Sequence, residues 1–115
     1  MRELAVALVV SLDQLCSGID GRSVFKNQLL RAGSSIGANI HEARYAQSSA
    51  DFVSKLEIAL KECYETEYWL EILYKVKAIN STAYQSFQNQ CGTLRRKLIA
   101  SITTVKSKRG NKHEN

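Results

Sequence analysis

The chain predicts an all-α fold, an antiparallel up-down-up-down four-helix bundle, on three observations. Its 115 residues contain no proline. Apolar residues recur at steps of three and four through four segments, and each break between segments carries glycine, serine or asparagine. The expected helices cover about residues 3–16, 23–46, 50–78 and 81–107, giving one bundle domain over 1–108 and a disordered basic tail over 109–115. A single domain of this length removes roughly two thirds of its unfolded surface from water.

In the first helix Leu4, Leu8, Leu12 and Leu15 form one seam. Val6, Val9 and Val10 lie off it, so the helix is apolar over more of its circumference than a monomeric bundle requires. That leaves either a broad core stripe or a subunit contact. The run Leu4 to Val10 follows Arg2 closely, yet Glu3 occupies what would be the positive region of a signal peptide. Asp13 and Gln14 occupy its cleavage approach, and the run is too short to cross a bilayer. Gly18 is placed for a left-handed C-terminal cap.

The second helix carries two stripes. Phe25, Leu29, Ala32, Ile36, Ile40 and Ala43 make an apolar seam, and beside it runs a polar ladder of Gln28, Arg31, Ser35, Asn39 and Glu42. Polar groups left unpaired next to a core cost roughly 1–3 kcal/mol each, so the ladder is either solvated or partnered. The partnered reading pairs Arg31 with Glu62 or Glu65 of the third helix and hydrogen-bonds Asn39 and Glu42 at helix contacts. Gly33 and Gly37 fall on one face, which means close approach of a neighbouring helix or a kink. Arg31 and Glu42 exclude a membrane span here, and no phosphate-loop arrangement accompanies the glycines.

Ser48 and Asp51 are spaced like a capping box at the start of the third helix. Phe52, Leu56, Ala59, Cys63, Leu70 and Leu73 supply its core side, with Glu57 to Lys61 and Glu71 to Lys75 as surface pairs. Asn80, Ser81 and Thr82 are cap candidates for the fourth helix. That helix carries the cleanest heptad, Tyr84, Phe87, Cys91, Leu94, Leu98, Ile102 and Val105.

The pattern Gln28-x-x-Arg31-Ala32-x-x-Ser35-Ile36-x-x-Asn39-Ile40-x-Glu42 continues with Ser48, Phe52, Leu56, Ile58-Ala59-Leu60-Lys61-Glu62, Glu65-Thr66 and Tyr68-Trp69-Leu70. It resembles the small bacterial proteins encoded in intervening sequences of 23S ribosomal RNA genes, also called S23 ribosomal proteins, over nearly the whole chain. One departure is Ala43, where that family usually has glycine. The resemblance implies a homopentamer of antiparallel bundles. It also implies a fold shared with the accessory proteins of diversity-generating retroelements, which partner a reverse transcriptase and bind nucleic acid.

Composition argues against chemistry. Cys16, Cys63 and Cys91 make neither a metal spacing nor an even disulfide set, which points to a reducing cytoplasm. Neither His41 nor His113 follows a glutamate by three residues, so the di-iron sites common in bundles are not expected, nor is any other metal or cofactor. No catalytic constellation assembles, and an enzyme is not expected.

Charge is more telling. The net charge is +5, and from Asn80 onward seven basic residues face Glu114 alone, so that segment carries +6 and the remainder −1. On a helical projection Arg95 and Lys106 flank one edge of the fourth helix's core stripe, Lys97 and Lys108 flank the other, and Arg96 points out. Arg109 and Lys112 extend the run. Such a segment either keeps the protein soluble or neutralises nucleic-acid phosphates. The expectation is a non-enzymatic homo-oligomer that binds RNA or a ribonucleoprotein through these seven residues, the alternatives being an adaptor for a polymerase and a purely structural oligomer.

Overall fold

The computed structural model describes the backbone of residues 1–114 and the side chains of residues 1–108. Four helices account for it: α1 (Arg2–Ser17), α2 (Ser23–Ala43), α3 (Ser49–Lys75) and α4 (Ser81–Glu114), with no strand among the described residues. α4 continues as helix through Glu114, across residues expected as a disordered tail at 109–115, while the RNA contacts assigned to Arg109 and Lys112 concern side chains outside those described.

Cross-helix contacts set the topology. Gly33 of α2 lies against Leu12 of α1, and Gly37 against Ala5. Arg31 pairs with Glu62 and Glu42 with Lys55, while Glu67 pairs with Arg95 and Glu57 with Lys106. In each set one number rises as the other falls, so chain neighbours are antiparallel. α1 touches α2 and α4 but not α3, which places the helices in a square with α1 diagonal to α3. The bundle is a rod of 57 × 22 × 21 Å.

Its axis is filled by Leu8, Leu12, Leu29, Ile36, Leu56, Leu70, Leu73, Leu94 and Leu98, all fully buried. Each contributes about 1.5–3 kcal/mol relative to exposure. Buried polar groups find partners: the Thr66 hydroxyl donates to the Glu62 carbonyl at 2.8 Å, and the Cys63 thiol donates to the Cys91 carbonyl at 3.3 Å. All three cysteines are buried and unbridged.

The caps explain where the helices end. Ser48 Oγ accepts from the Asp51 amide at 3.1 Å, and the Asp51 carboxylate accepts from the Gln47 amide at 3.2 Å, so the box closes one residue earlier than a strict one. Asn80 Oδ1 accepts from the Ala83 amide at 2.8 Å to open α4.

α2 ends at Ala43 rather than 46, because the amides of Arg44, Tyr45 and Ala46 each bond the carbonyl three residues back, tightening the last turn. α3 ends at Lys75 rather than 78. Lys77 turns left-handed at φ 64°, and its amide bonds the Tyr74 carbonyl while the Ala78 amide bonds that of Leu73, a Schellman motif. Gly18 is right-handed at φ −90°, against expectation. The positive φ values of that loop fall instead on Gly21 and Arg22, and the Arg22 guanidinium donates to the Val76 carbonyl of the turn after α3.

α1 is also rotated from its expected seam. Ala5, Leu8, Leu12 and Cys16 face inward, leaving Leu4 41% exposed. A methyl at position 5 fits the tight approach to Gly37 in a way a leucine would not. Close helix approach is thus the use of the glycine pair: a Cβ on Gly33 would stand 2.6 Å from Leu12 Cδ1.

Candidate functional site

The polar ladder of α2 is a seam to α3, partnered at its two ends. Arg31 reaches Glu62 at 3.4 Å and also pairs with Glu65, while its Nε donates to Gln28 at 2.9 Å. Glu42 meets Lys55 at 3.4 Å. Asn39 departs from expectation: its amide donates to the Ser35 carbonyl one turn back on its own helix at 2.9 Å. Half-buried Ser35 supplies only that carbonyl. The Arg31 side chain is 48% exposed, so the seam is a hydrated one and its charges are not sequestered.

On α4 the two edges of the core stripe have different neighbours. The edge facing α3 meets carboxylates: Arg95 Nε donates to Glu67 Oε1 at 3.0 Å and its guanidinium lies 5.7 Å from the Tyr64 ring centroid. The hydrogen bond it donates to Glu67 holds the Arg95 guanidinium above its ordinary pKa range. Lys106 pairs with Glu57 at 3.3 Å. Arg95 and Lys106, expected as free phosphate contacts, are therefore engaged in holding α4 to α3. Glu57 turns to Lys106 rather than to Lys61, its expected partner, and Glu71 to Lys75 is likewise not formed among the described residues.

The opposite edge has no such neighbour. Lys97 and Lys108 are exposed and meet no carboxylate among the described residues, and Arg96 makes a bond only to the Thr93 hydroxyl at 3.4 Å. Ser101 and Thr104 lie between Lys97 and Lys108 on the same face, so the edge is polar along three turns. It leads to an open groove of about 430 Å³ where Val105 of α4 faces Phe52 and the Arg44–Gln47 turn.

Apart from Val24 and Tyr45 on and just after α2, the exposed large apolar residues fall into two places. Leu4, Val6 and Val10 stand on α1, while Ile58, Tyr64, Tyr68 and Ile99 stand on α3 and α4. No group of three or more His, Cys, Asp or Glu residues among those described could hold a metal ion. Among the described residues no helix is long and apolar enough to cross a membrane. Burial raises the Cys16 thiol, and the hydrogen bond with Cys63 together with burial raises that of Cys91, which lowers the thiolate fraction of both.

Residues 2–100 match the sequence model of the 23S rRNA-intervening sequence protein family. The chain belongs to that family. A solved member of the S23 ribosomal protein family, a protein of unknown function from Bacteroides thetaiotaomicron, is 41% identical, with 88% of this chain and 96% of that chain covered at a TM-score of 0.83. No relative was found among curated proteins. The intervening-sequence family match includes the α2 ladder and Arg95 to Lys97, and it stops before Lys106, Lys108, Arg109 and Lys112.

Proposed function

We propose that this intervening-sequence protein is a non-enzymatic, cytoplasmic homo-oligomer, a pentamer as its family resemblance implies, that binds RNA by backbone charge. The observation that carries the reading is the unpaired edge of α4. Lys97 and Lys108, with Arg96 beside them, keep their charge available while Arg95 and Lys106 spend theirs on Glu67 and Glu57. Unneutralised cations along one edge suit a phosphate backbone, whose counterions they release. Self-association is supported by Leu4, Val6 and Val10 on α1, apolar residues that no other helix of the bundle covers. Several copies of a weak basic edge gain affinity through effective concentration.

Titrating a labelled RNA with the full chain and with a chain ending at Val105 tests this, alongside light scattering. The shortened chain should bind more weakly yet keep the same mass, several times the 12.9 kDa of one chain. Absence of RNA and DNA binding at low salt contradicts the reading. A second reading, an adaptor for a polymerase such as a reverse transcriptase, is favoured by the exposed Tyr64 and Tyr68 beside Ile58 and Ile99, since tyrosine-rich patches are typical of protein contacts. It predicts a salt-insensitive complex with one protein.

A further inference from the structure

We infer that this protein assembles head to tail: the outer face of α1 in one copy docks on the tyrosine patch of α3 and α4 in the next. This rests on the homo-oligomer reading and names the two surfaces that meet.

α1 has no charged residue from Leu4 through Leu12. Ala5, Leu8 and Leu12 fill its inner positions, yet Leu4, Val6, Ala7 and Val10 are exposed. A helix apolar around its whole circumference is one that is covered on every side. Glu3, Val6, Val10 and Asp13 follow at steps of three, four and three, which puts a carboxylate at each end of one valine stripe, about 15 Å apart at 1.5 Å per residue. Both acids are exposed and neither meets a cation among the described residues, while Arg2 is turned about 100° from Glu3 round the helix.

The second surface carries the opposite charge. Ile99 follows Arg95 by one turn and precedes Lys106 by two, so it stands on the α4 edge between the two ion pairs to α3. Tyr64 lies against the same Arg95, and the exposed Ile58 and Tyr68 continue the patch along α3. Lys61 and Lys75 stand two turns either side of Tyr68 on its own stripe, about 21 Å apart, exposed and without a carboxylate among the described residues. The flexible four-carbon stems of two lysines span the difference from the acid spacing on α1. Glu57, Glu65 and Glu67 around the patch are occupied by Lys106, Arg31 and Arg95, which leaves Glu71 against two lysines.

Charge decides how copies meet. A two-fold axis pairing two α1 faces would set the acids of one copy on the acids of the other, and one pairing two α3 patches would set lysine on lysine, arrangements that like-charge repulsion selects against. An α1 face on an α3 patch gives each acid a lysine and covers the valines with tyrosine and isoleucine, tyrosine being enriched at protein contacts. Because α1 and α3 are diagonal in the bundle, the two surfaces point to different sides, and each docked copy offers its unused surface to a further one. Such a contact closes as a ring or runs on as a filament.

Light scattering on the full chain and on variants of each surface tests this. Val6→Asp with Val10→Asp removes the α1 face, Tyr68→Asp with Ile99→Asp removes the patch, and each protein alone should fall to the single-chain mass of 12.9 kDa with wild-type helicity by circular dichroism. Mixed in equal amounts at about 100 μM, since one contact lacks the avidity of a closed assembly, the two should form a complex of twice that mass. Each retains the surface the other lacks. As a second route that leaves the apolar residues in place, Glu3→Lys with Asp13→Lys should dissociate the assembly, and adding Lys61→Glu and Lys75→Glu to the same chain should restore it. A variant of either surface that keeps the wild-type mass overturns the proposal, and if it is the patch variant the tyrosines are left to a foreign protein. Folded variants that stay at single-chain mass when mixed overturn it as well. If the wild-type protein itself has single-chain mass, the homo-oligomer reading falls with it.

Discussion

Glu67 of α3 accepts a hydrogen bond from Arg95 of α4 at 3.0 Å across 28 positions of sequence, and both side chains are largely shielded, at 20% and 30% exposure. The Gln88 amide donates to the Glu67 backbone carbonyl at 3.3 Å, adding a second tie between the same two helices. Arg95 is thus a helix clamp set among cations that are free. The distinction separates structural from binding charge on one helix.

Arg95→Gln should lower stability by about 1–2 kcal/mol, between the values for exposed and buried pairs, because Glu67 is left half-shielded without its partner. Urea unfolding followed by circular dichroism measures this. RNA affinity and its salt dependence should be unchanged in the folded variant.

Arg31→Ala is the contrasting case. Arg31 bridges Glu62 and Glu65, yet half its side chain is in water, so the loss should be about 0.5–1 kcal/mol and should shrink in high salt. A loss of 3–5 kcal/mol, the value for a buried pair, would mean that a second subunit covers the ladder.

Gly33→Ala should destabilise by about 1–2 kcal/mol, although alanine is the better helix former by about 1 kcal/mol. The new methyl would stand 2.6 Å from Leu12 Cδ1, the end of a fully buried side chain that would have to shift within the packed core. The shift in urea midpoint is the measurement.

Lys77→Gly should stabilise by about 0.5–1 kcal/mol. Lys77 holds φ 64° in the Schellman turn after α3, a conformation glycine adopts without the Cβ penalty. A rise in midpoint with an unchanged m-value checks it.

Much of this fold is written in local pattern. The Phe87, Leu94, Leu98 and Ile102 heptad and the Ser48 cap depend on spacing alone and are found as the spacing implies, while the Gly33 and Gly37 pair is resolved as close helix approach. The inward face of α1 is different in kind. When Leu4, Val6 and Val9 are all apolar, periodicity cannot say which arc is covered, and the small Ala5 wins by fitting Gly37. The end of α3 was hidden because a lysine, not a glycine, takes the left-handed position. For the candidate site, projection separates the two edges of α4 correctly, but only the register against α3 shows that Glu57 and Glu67 neutralise one of them.

The central claim, that the unpaired edge of α4 binds RNA by charge, is tested most directly by the slope of log affinity against log salt. Wild-type protein should show a linear fall with rising salt. Changing Arg96, Lys97 and Lys108 together to glutamine should flatten that slope by about 2–3 units, at roughly 0.7–0.9 per phosphate contact, while Arg95→Gln leaves it as it was. A triple variant with the wild-type slope, or a wild-type protein that binds no RNA at low salt, would contradict the account.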